Sequence, residues 1–145
     1  MKIRKFKKRD AGRCSEIIYF CAKISKKTTK KDREFLRRVY TPEKISKLAE
    51  KSDFFVMEDK GKVIGSGRLQ NIKIATIYFD PKFHKKGGGT LMLRTLEKLA
   101  KKRGKKRVWL DSLLQSARFY ERCGFEKVKR MYKPINAMRM GKKLV

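Results

Sequence analysis

The sequence predicts an α/β fold of the α+β type: a mixed, mostly antiparallel sheet of six or seven strands with about four helices, formed by residues 1–145 as one domain. Three observations lead there. Residues 54–79 read as three strands joined by short turns, an antiparallel meander. Residues 72–111 read as strand, loop, helix and strand, a right-handed βαβ unit whose two strands are parallel. Apolar segments recur along the whole chain, which is 40% hydrophobic, with no repeat, low-complexity stretch or long linker to mark a domain boundary.

The elements follow in order. Ile3 and Phe6 alternate in residues 2–7, an opening strand. Asp10 is a candidate N-cap for a helix whose face carries Cys14, Ile17, Ile18, Cys21 and Ile24, which places both cysteines in the core as small apolar residues. After a basic connection, Asp32 opens a short helix with Phe35, Leu36 and Val39. Thr41-Pro42 starts another, with the cap at Thr41 and proline at the first helical position. Phe54 to Met57 and Lys62 to Leu69 are strands. Gly65 and Gly67 within the second predict a close backbone approach or a bulge. A third strand runs to Phe79. Met92, Leu93, Leu96, Leu99 and Ala100 line one face of a helix that ends at Gly104. Residues 107–111 are a strand, 114–123 a helix closed by Gly124, and 125–132 and 136–144 the last two strands.

The 42 Lys+Arg against 14 Asp+Glu give a formal charge of +28. Folding does not need this imbalance. It favours acidic partners, nucleic acid or an acidic protein among them, or it is a lysine-rich solvated surface. The N-terminus has no apolar signal-peptide core, and no apolar run reaches membrane-spanning length. Three cysteines without a CxxC pair, and a single histidine, His84, do not make a zinc site. An odd cysteine count without a secretion signal points to reduced thiols and a cytoplasmic location.

The most informative stretch is Tyr78 to Leu93. An apolar run ends at Pro81. A basic loop follows with Lys82, His84, Lys85 and Lys86, then Gly87, Gly88 and Gly89, then Thr90 and a helix. Glycines allow successive N–H groups to point at one spot, and a helix start adds unpaired donors and a positive dipole end. This is an anion site suited to phosphate or pyrophosphate.

Two motifs give the chain a family likeness. Phe79-Asp80-Pro81 followed by His84-Lys85-Lys86-Gly87-Gly88-Gly89 resembles the Val-x-Pro and Arg/Gln-x-x-Gly-x-Gly/Ala signature of the GNAT superfamily of N-acetyltransferases. Ala117 to Phe125 is similar to that family's Ala-x-x-Tyr-x-x-x-Gly-Phe helix end. The likeness spans essentially the whole chain in element order. It implies the family's fold, with helices on both faces of the sheet, and direct acetyl transfer from acetyl-CoA to an amine without a metal. By resemblance, backbone groups around Phe79, Asp80 and Pro81 take the pantetheine arm. His84, Lys85, Lys86, Gly87, Gly88, Gly89 and Thr90 hold the pyrophosphate, and Tyr120 protonates the leaving thiolate.

Several positions depart from the pattern. His84 stands where Arg or Gln is usual; either its ring donates to a phosphate, or it fills a loop position while the backbone binds. Leu113 replaces a common asparagine. Lys73 and Ile74 lie where protein-acetylating members often carry a glutamate base. Asp111 is the nearest candidate base, with an N-cap for the next helix as its other reading. A lysine acceptor of pKa about 10.4 needs help to lose its proton, whereas an α-amine at about 7.7–8.0 needs little. The acceptor expected is therefore a protein or peptide α-amine, or another weakly basic amine. A polyamine would be repelled without a local acidic pocket. The second functional reading is a basic nucleic-acid- or ribosome-associated protein that keeps this fold. The chain is expected to act as a monomer or homodimer.

Overall fold

The computed structural model describes residues 1–145. The chain runs β1 (Lys2–Lys5), α1 (Ala11–Ile24), α2 (Lys30–Val39), α3 (Pro42–Lys51), β2 (Asp53–Asp59), β3 (Lys62–Gln70), β4 (Lys73–Phe79), α4 (Gly88–Lys102), β5 (Arg107–Leu113), α5 (Ala117–Arg122), β6 (Glu126–Met131) and β7 (Ala137–Lys143). Seven strands form one sheet in the order β1-β2-β3-β4-β5-β7-β6. Every neighbouring pair is antiparallel except β4 and β5.

Strand β3 is buried from Val63 through Leu69, which requires cover on both faces of the sheet. On one face, Cys14, Ile17 and Ile18 of α1 and Ile45 of α3 pack with Phe54, Val56 and Val63. On the other, Met92, Leu93, Leu96 and Ala100 of α4 pack with Ile64, Leu69, Ile74 and Leu110, and Tyr120 of α5 joins this layer.

Local chemistry explains where the element ends differ from expectation. The α2 helix starts at Lys30. Thr29 is its cap, its hydroxyl accepting from Asp32 N (3.1 Å) while the Asp32 carboxylate accepts from Thr29 N (3.3 Å). Asp32 is thus the third helical residue rather than the first. Its carboxylate also accepts from Asn136 N (3.2 Å) and Nδ2 (3.1 Å), tying α2 to the β6–β7 connection. Asp10 makes no side-chain cap to α1. A short 3-10 turn precedes the helix, and the Asp10 carboxylate takes a two-pronged contact from Arg4 (2.9 and 3.0 Å) and one from Lys7 N (2.7 Å). Residues 114–123 divide into a 3-10 turn and the six-residue α5.

Two irregularities shape the centre of the sheet. The β3–β4 register shifts between Ser66 and Arg68, so β4 carries an extra residue opposite Gly67. A Cβ on Gly67 would lie 2.5 Å from the Met92 side chain, so only glycine admits this approach of α4. The parallel pair of β4 and β5 is held at Lys73 and Trp109 alone, with Trp109 N donating to Ile72 O at 3.0 Å. Beyond that point the two strands separate.

Candidate active site

The separation of β4 and β5 opens a cleft of about 1060 Å³. Its walls come from both strands, the C-terminal ends of α1 and α2, α3, the 3-10 turn before α5, and the β6–β7 connection. Its lining reaches Phe79 and His84, and the glycine loop continues from His84.

The loop is built from backbone. Gly87 caps α4 with φ +86°, and Lys85 precedes it at φ +64°. Gly88 is buried, and a Cβ there would lie 2.7 Å from the Phe79 ring. A Cβ on Gly89 would lie 3.0 Å from Phe119. The first acceptor supplied within the helix is Gly87 O, which takes Leu91 N at 3.1 Å. The N–H groups of Lys85, Lys86, Gly87, Gly88, Gly89 and Thr90 therefore have no acceptor in the protein. Six consecutive free donors at the positive end of a fifteen-residue helix fit a diphosphate. The Lys85 and Lys86 side chains are exposed beside them.

His84 has a different partner. Its Nε2–H donates to Phe79 O at 2.8 Å, and the Cys21 thiol donates to the same oxygen at 3.1 Å. His84 thus pins the loop to the end of β4. Pro81 O accepts from His84 N (3.2 Å), so the Phe79 and Pro81 carbonyls are both engaged inside the protein. The strand edge left open along the cleft lies earlier, from Ala75 to Tyr78. Asp80 is also engaged: its carboxylate accepts from Arg13 (2.6 Å) and from Lys82 N (3.0 Å). Cys21 packs against the edge of the α1 core and also lines the cleft, and burial pushes its thiol up to about 12, so it stays protonated.

Tyr120 projects from α5 to the cleft. It is 6% exposed and meets Phe119 and Phe125 edge-on, with centroids 5.1 and 5.9 Å away. Its hydroxyl has no hydrogen-bond partner in the protein. No fully buried side-chain oxygen or nitrogen lacks a partner, so this hydroxyl opens on the cleft. Burial raises its pKa above the usual value near 10.0. It is a proton-bearing donor at neutral pH.

Asp111 lines the same cleft but is not free. Strand β5 continues to Leu113, so Asp111 sits within it and caps no helix. Its carboxylate is bound in a two-pronged pair by Arg139 Nε (2.8 Å) and Nη2 (3.0 Å). Both carboxylate oxygens are already engaged by Arg139. Leu113 also lines the cleft.

A second cluster was not anticipated. Thr76, at the β4 bulge, has φ +59°. For a β-branched residue that costs on the order of 1–3 kcal/mol, sustained only by its surroundings. Ser66 Oγ donates to Thr76 O (2.7 Å), Arg68 Nε donates to Thr76 Oγ1 (2.9 Å), and Tyr40 Oη lies 3.3 Å from Thr76 Oγ1. The available signal was Arg68, the one charge in the stretch from Val63 to Leu69. Over the whole cleft, nine Lys and Arg side chains face one carboxylate, Asp111. No three His, Cys, Asp or Glu side chains converge as a metal site.

A loop of free donors at a helix start, beside two splayed parallel strands, is the layout of an acyl-CoA N-acyltransferase. The comparisons agree. The chain matches the Acetyltransferase (GNAT) family over residues 17–125 and belongs to that family. Its fold is shared by a GCN5-related N-acetyltransferase from Rhodopseudomonas palustris, at TM-score 0.91 and 20% identity over 99% of this chain and 95% of that one. It is shared by the PaiA N-acetyltransferase from Thermoplasma acidophilum, solved with coenzyme A, at TM-score 0.82 and 22% identity over 98% of each chain. Rv2747 from Mycobacterium tuberculosis, solved with CoA, aligns at TM-score 0.74 and 16% identity over 100% of each chain. No curated protein matches the chain by sequence. No helix is long and apolar enough to cross a membrane.

Proposed function

We propose that this chain transfers an acetyl group directly from acetyl-CoA to a primary amine. One observation carries the reading: six N–H donors without an acceptor at the head of α4 follow directly on His84, which lines the same cleft as the unpartnered Tyr120 hydroxyl. The pyrophosphate of acetyl-CoA lies against Lys85 to Thr90, and the pantetheine arm runs along the open edge of β4 as an added strand. The neutral amine nitrogen attacks the thioester carbonyl, the carbon–sulfur bond breaks as Tyr120 gives its proton to the departing thiolate, and the proton shed by the new amide nitrogen passes to cleft water, from which Tyr120 is reprotonated. In water a thiol has a pKa of about 8.5 and a phenol about 10. Burial raises both, so Tyr120 acts first as a short hydrogen-bond donor to the developing thiolate and then as its acid.

With Asp111 tied to Arg139, no side-chain base faces the amine. About 14% of an α-amine with pKa about 7.8 is neutral at pH 7, against about 0.04% of a lysine with pKa about 10.4. This roughly 300-fold difference favours an α-amine, as at the N-terminus of a peptide. The three unpaired thiols suit a reducing cytoplasm.

Mass spectrometry of the purified protein for bound CoA, followed by thiol release from acetyl-CoA across an amine panel, tests the proposal. Bound CoA and acceptor-dependent release are expected. Neither CoA nor release with any amine would overturn it.

A second reading rests on the far end of α4. Residues Lys101, Lys102, Arg103, Lys105, Lys106 and Arg107 are all exposed there, away from the cleft, a surface suited to nucleic-acid phosphates. RNA binding that weakens steeply between 50 and 200 mM salt, on the order of a thousandfold, is its signature. No RNA binding at 50 mM salt would leave the charge as solvated surface.

A further inference from the structure

The cleft carries a second anion-attracting cluster, remote from the glycine loop. Arg68 is 6% exposed, and its two hydrogen bonds run to neutral oxygens: Thr76 Oγ1 at 2.9 Å and Gln70 Oε1 at 2.9 Å. Neither Arg68 nor Lys73 forms an ion pair. Arg68 Nη2 has no partner in the protein, and since no fully buried side-chain nitrogen is left unpaired, it reaches the cleft. Lys73 is half-buried, with its ammonium 5.1 Å from the centre of the Trp109 ring. Arg139 lies over the same ring at 4.5 Å. Burial, and then the charge of Arg68, hold the Lys73 amine below its ordinary value. A buried guanidinium and a half-buried ammonium without a counter-charge are costly unless something anionic joins them. The one carboxylate nearby, Asp111, is already held by Arg139.

The donor's pyrophosphate does not supply that anion. Lys73 opens β4 and the glycine loop follows its end. Six residues of strand separate them, about 20 Å. The Thr76 bulge lies between, where the open edge of β4 would present the thioester.

We propose that the acceptor is a primary amine that also carries an oxyanion, held by Arg68 and Lys73 while the amine faces the bulge at Thr76. This rests on the acetyl-transfer reading above and adds the acceptor's class. Arg68 offers a planar fork of donors matched to a carboxylate or phosphate, and Lys73 adds a point charge. A cationic polyamine is excluded by the same groups.

The single tryptophan, Trp109, lies under Lys73 and Arg139 and reports on the cluster without any turnover. Succinate and its uncharged analogue succinamide would be titrated at constant ionic strength while Trp109 emission is followed. A saturable change with succinate alone is expected. It should weaken at least tenfold in Lys73→Gln and persist in Lys101→Gln, which removes an equal charge from the far surface. Equal responses to succinate and succinamide, or equal weakening in both variants, would overturn the proposal. Turnover gives the second arm: acetyl-CoA with glutamate, phosphoethanolamine and putrescine. The first two bring a carboxylate and a phosphate and so separate the two sources of the oxyanion. At least one should exceed putrescine tenfold in kcat/KM. Putrescine equal to or above both would refute the proposal while leaving acetyl transfer intact. Failure of acetyl-CoA to bind would remove acetyl transfer and leave the Trp109 titration to decide the anion cluster by itself.

Discussion

The two ends of the cleft are made in different ways. The glycine-loop end is local and built from backbone: one cap at φ +86°, a buried Gly88 against Phe79, and six free N–H groups within residues 85–90. The opposite end is built from side chains that meet across the fold. Tyr40 follows α2, Arg68 lies in β3, Thr76 in β4 and Arg139 in β7. A local backbone device imposes a residue pattern on the sequence. A meeting of distant side chains imposes none. The first end suits the constant part of a reaction, a diphosphate, and the second suits the part that varies, the acceptor.

Substitutions at the two ends should therefore fail in different ways. The largest effect is expected at their junction. Tyr120→Phe keeps the buried ring and removes the proton, so kcat should fall by about 10²–10⁴ with KM for acetyl-CoA nearly unchanged. Steady-state thiol release reads this directly, and an unchanged kcat would remove Tyr120 from the acid role. Next is Gly88→Val. Its Cβ would collide with the Phe79 ring, at an overpacking cost of about 1–3 kcal/mol, and the loop must shift. KM for acetyl-CoA should rise about tenfold or more, with acceptor KM little affected. Equal weakening of both substrates would erase the distinction between the ends.

Thr76→Gly tests the other end. Glycine accepts φ +59° without strain but loses the contacts to Arg68 and Tyr40. Acceptor KM should rise severalfold, and by more than KM for acetyl-CoA, which meets the Thr76 backbone that glycine retains. Asp111→Asn should change kcat less than about threefold, because its carboxylate already serves Arg139. A hundredfold fall, with loss of the acidic limb of the rate profile, would restore Asp111 as the base. The smallest effect is one of pH. A raised Tyr120 pKa means the hydroxyl keeps its proton above its usual value near 10.0, so kcat should show no descending limb below that pH. A limb between pH 7 and 9 would point to a different acid.

The same contrast decides what could be read in the chain. The meander, the crossover helix and the glycine loop are written in residues within a turn or two of each other. So is the link from Tyr120 to Gly124 and Phe125, where Tyr120 O accepts from Phe125 N at 3.0 Å. His84 was legible as a loop residue, but not as the group that donates to Phe79 O, because the contact depends on how the four residues between them, three in a 3-10 turn, fold the chain back. Thr76 reads as an ordinary strand residue. Its left-handed backbone follows from the register shift opposite Gly67, which belongs to two strands at once. Asp111 reads as a free carboxylate until β7 pairs with β5 and brings Arg139 directly opposite.

The most direct test is calorimetric titration of acetyl-CoA into the wild-type protein at low salt. One site per chain is expected, with affinity that falls as salt rises and is weakened in Gly88→Val but not in Lys73→Gln. No heat at millimolar acetyl-CoA, or an affinity lost with Lys73 and kept with Gly88→Val, would contradict a donor site at the glycine loop.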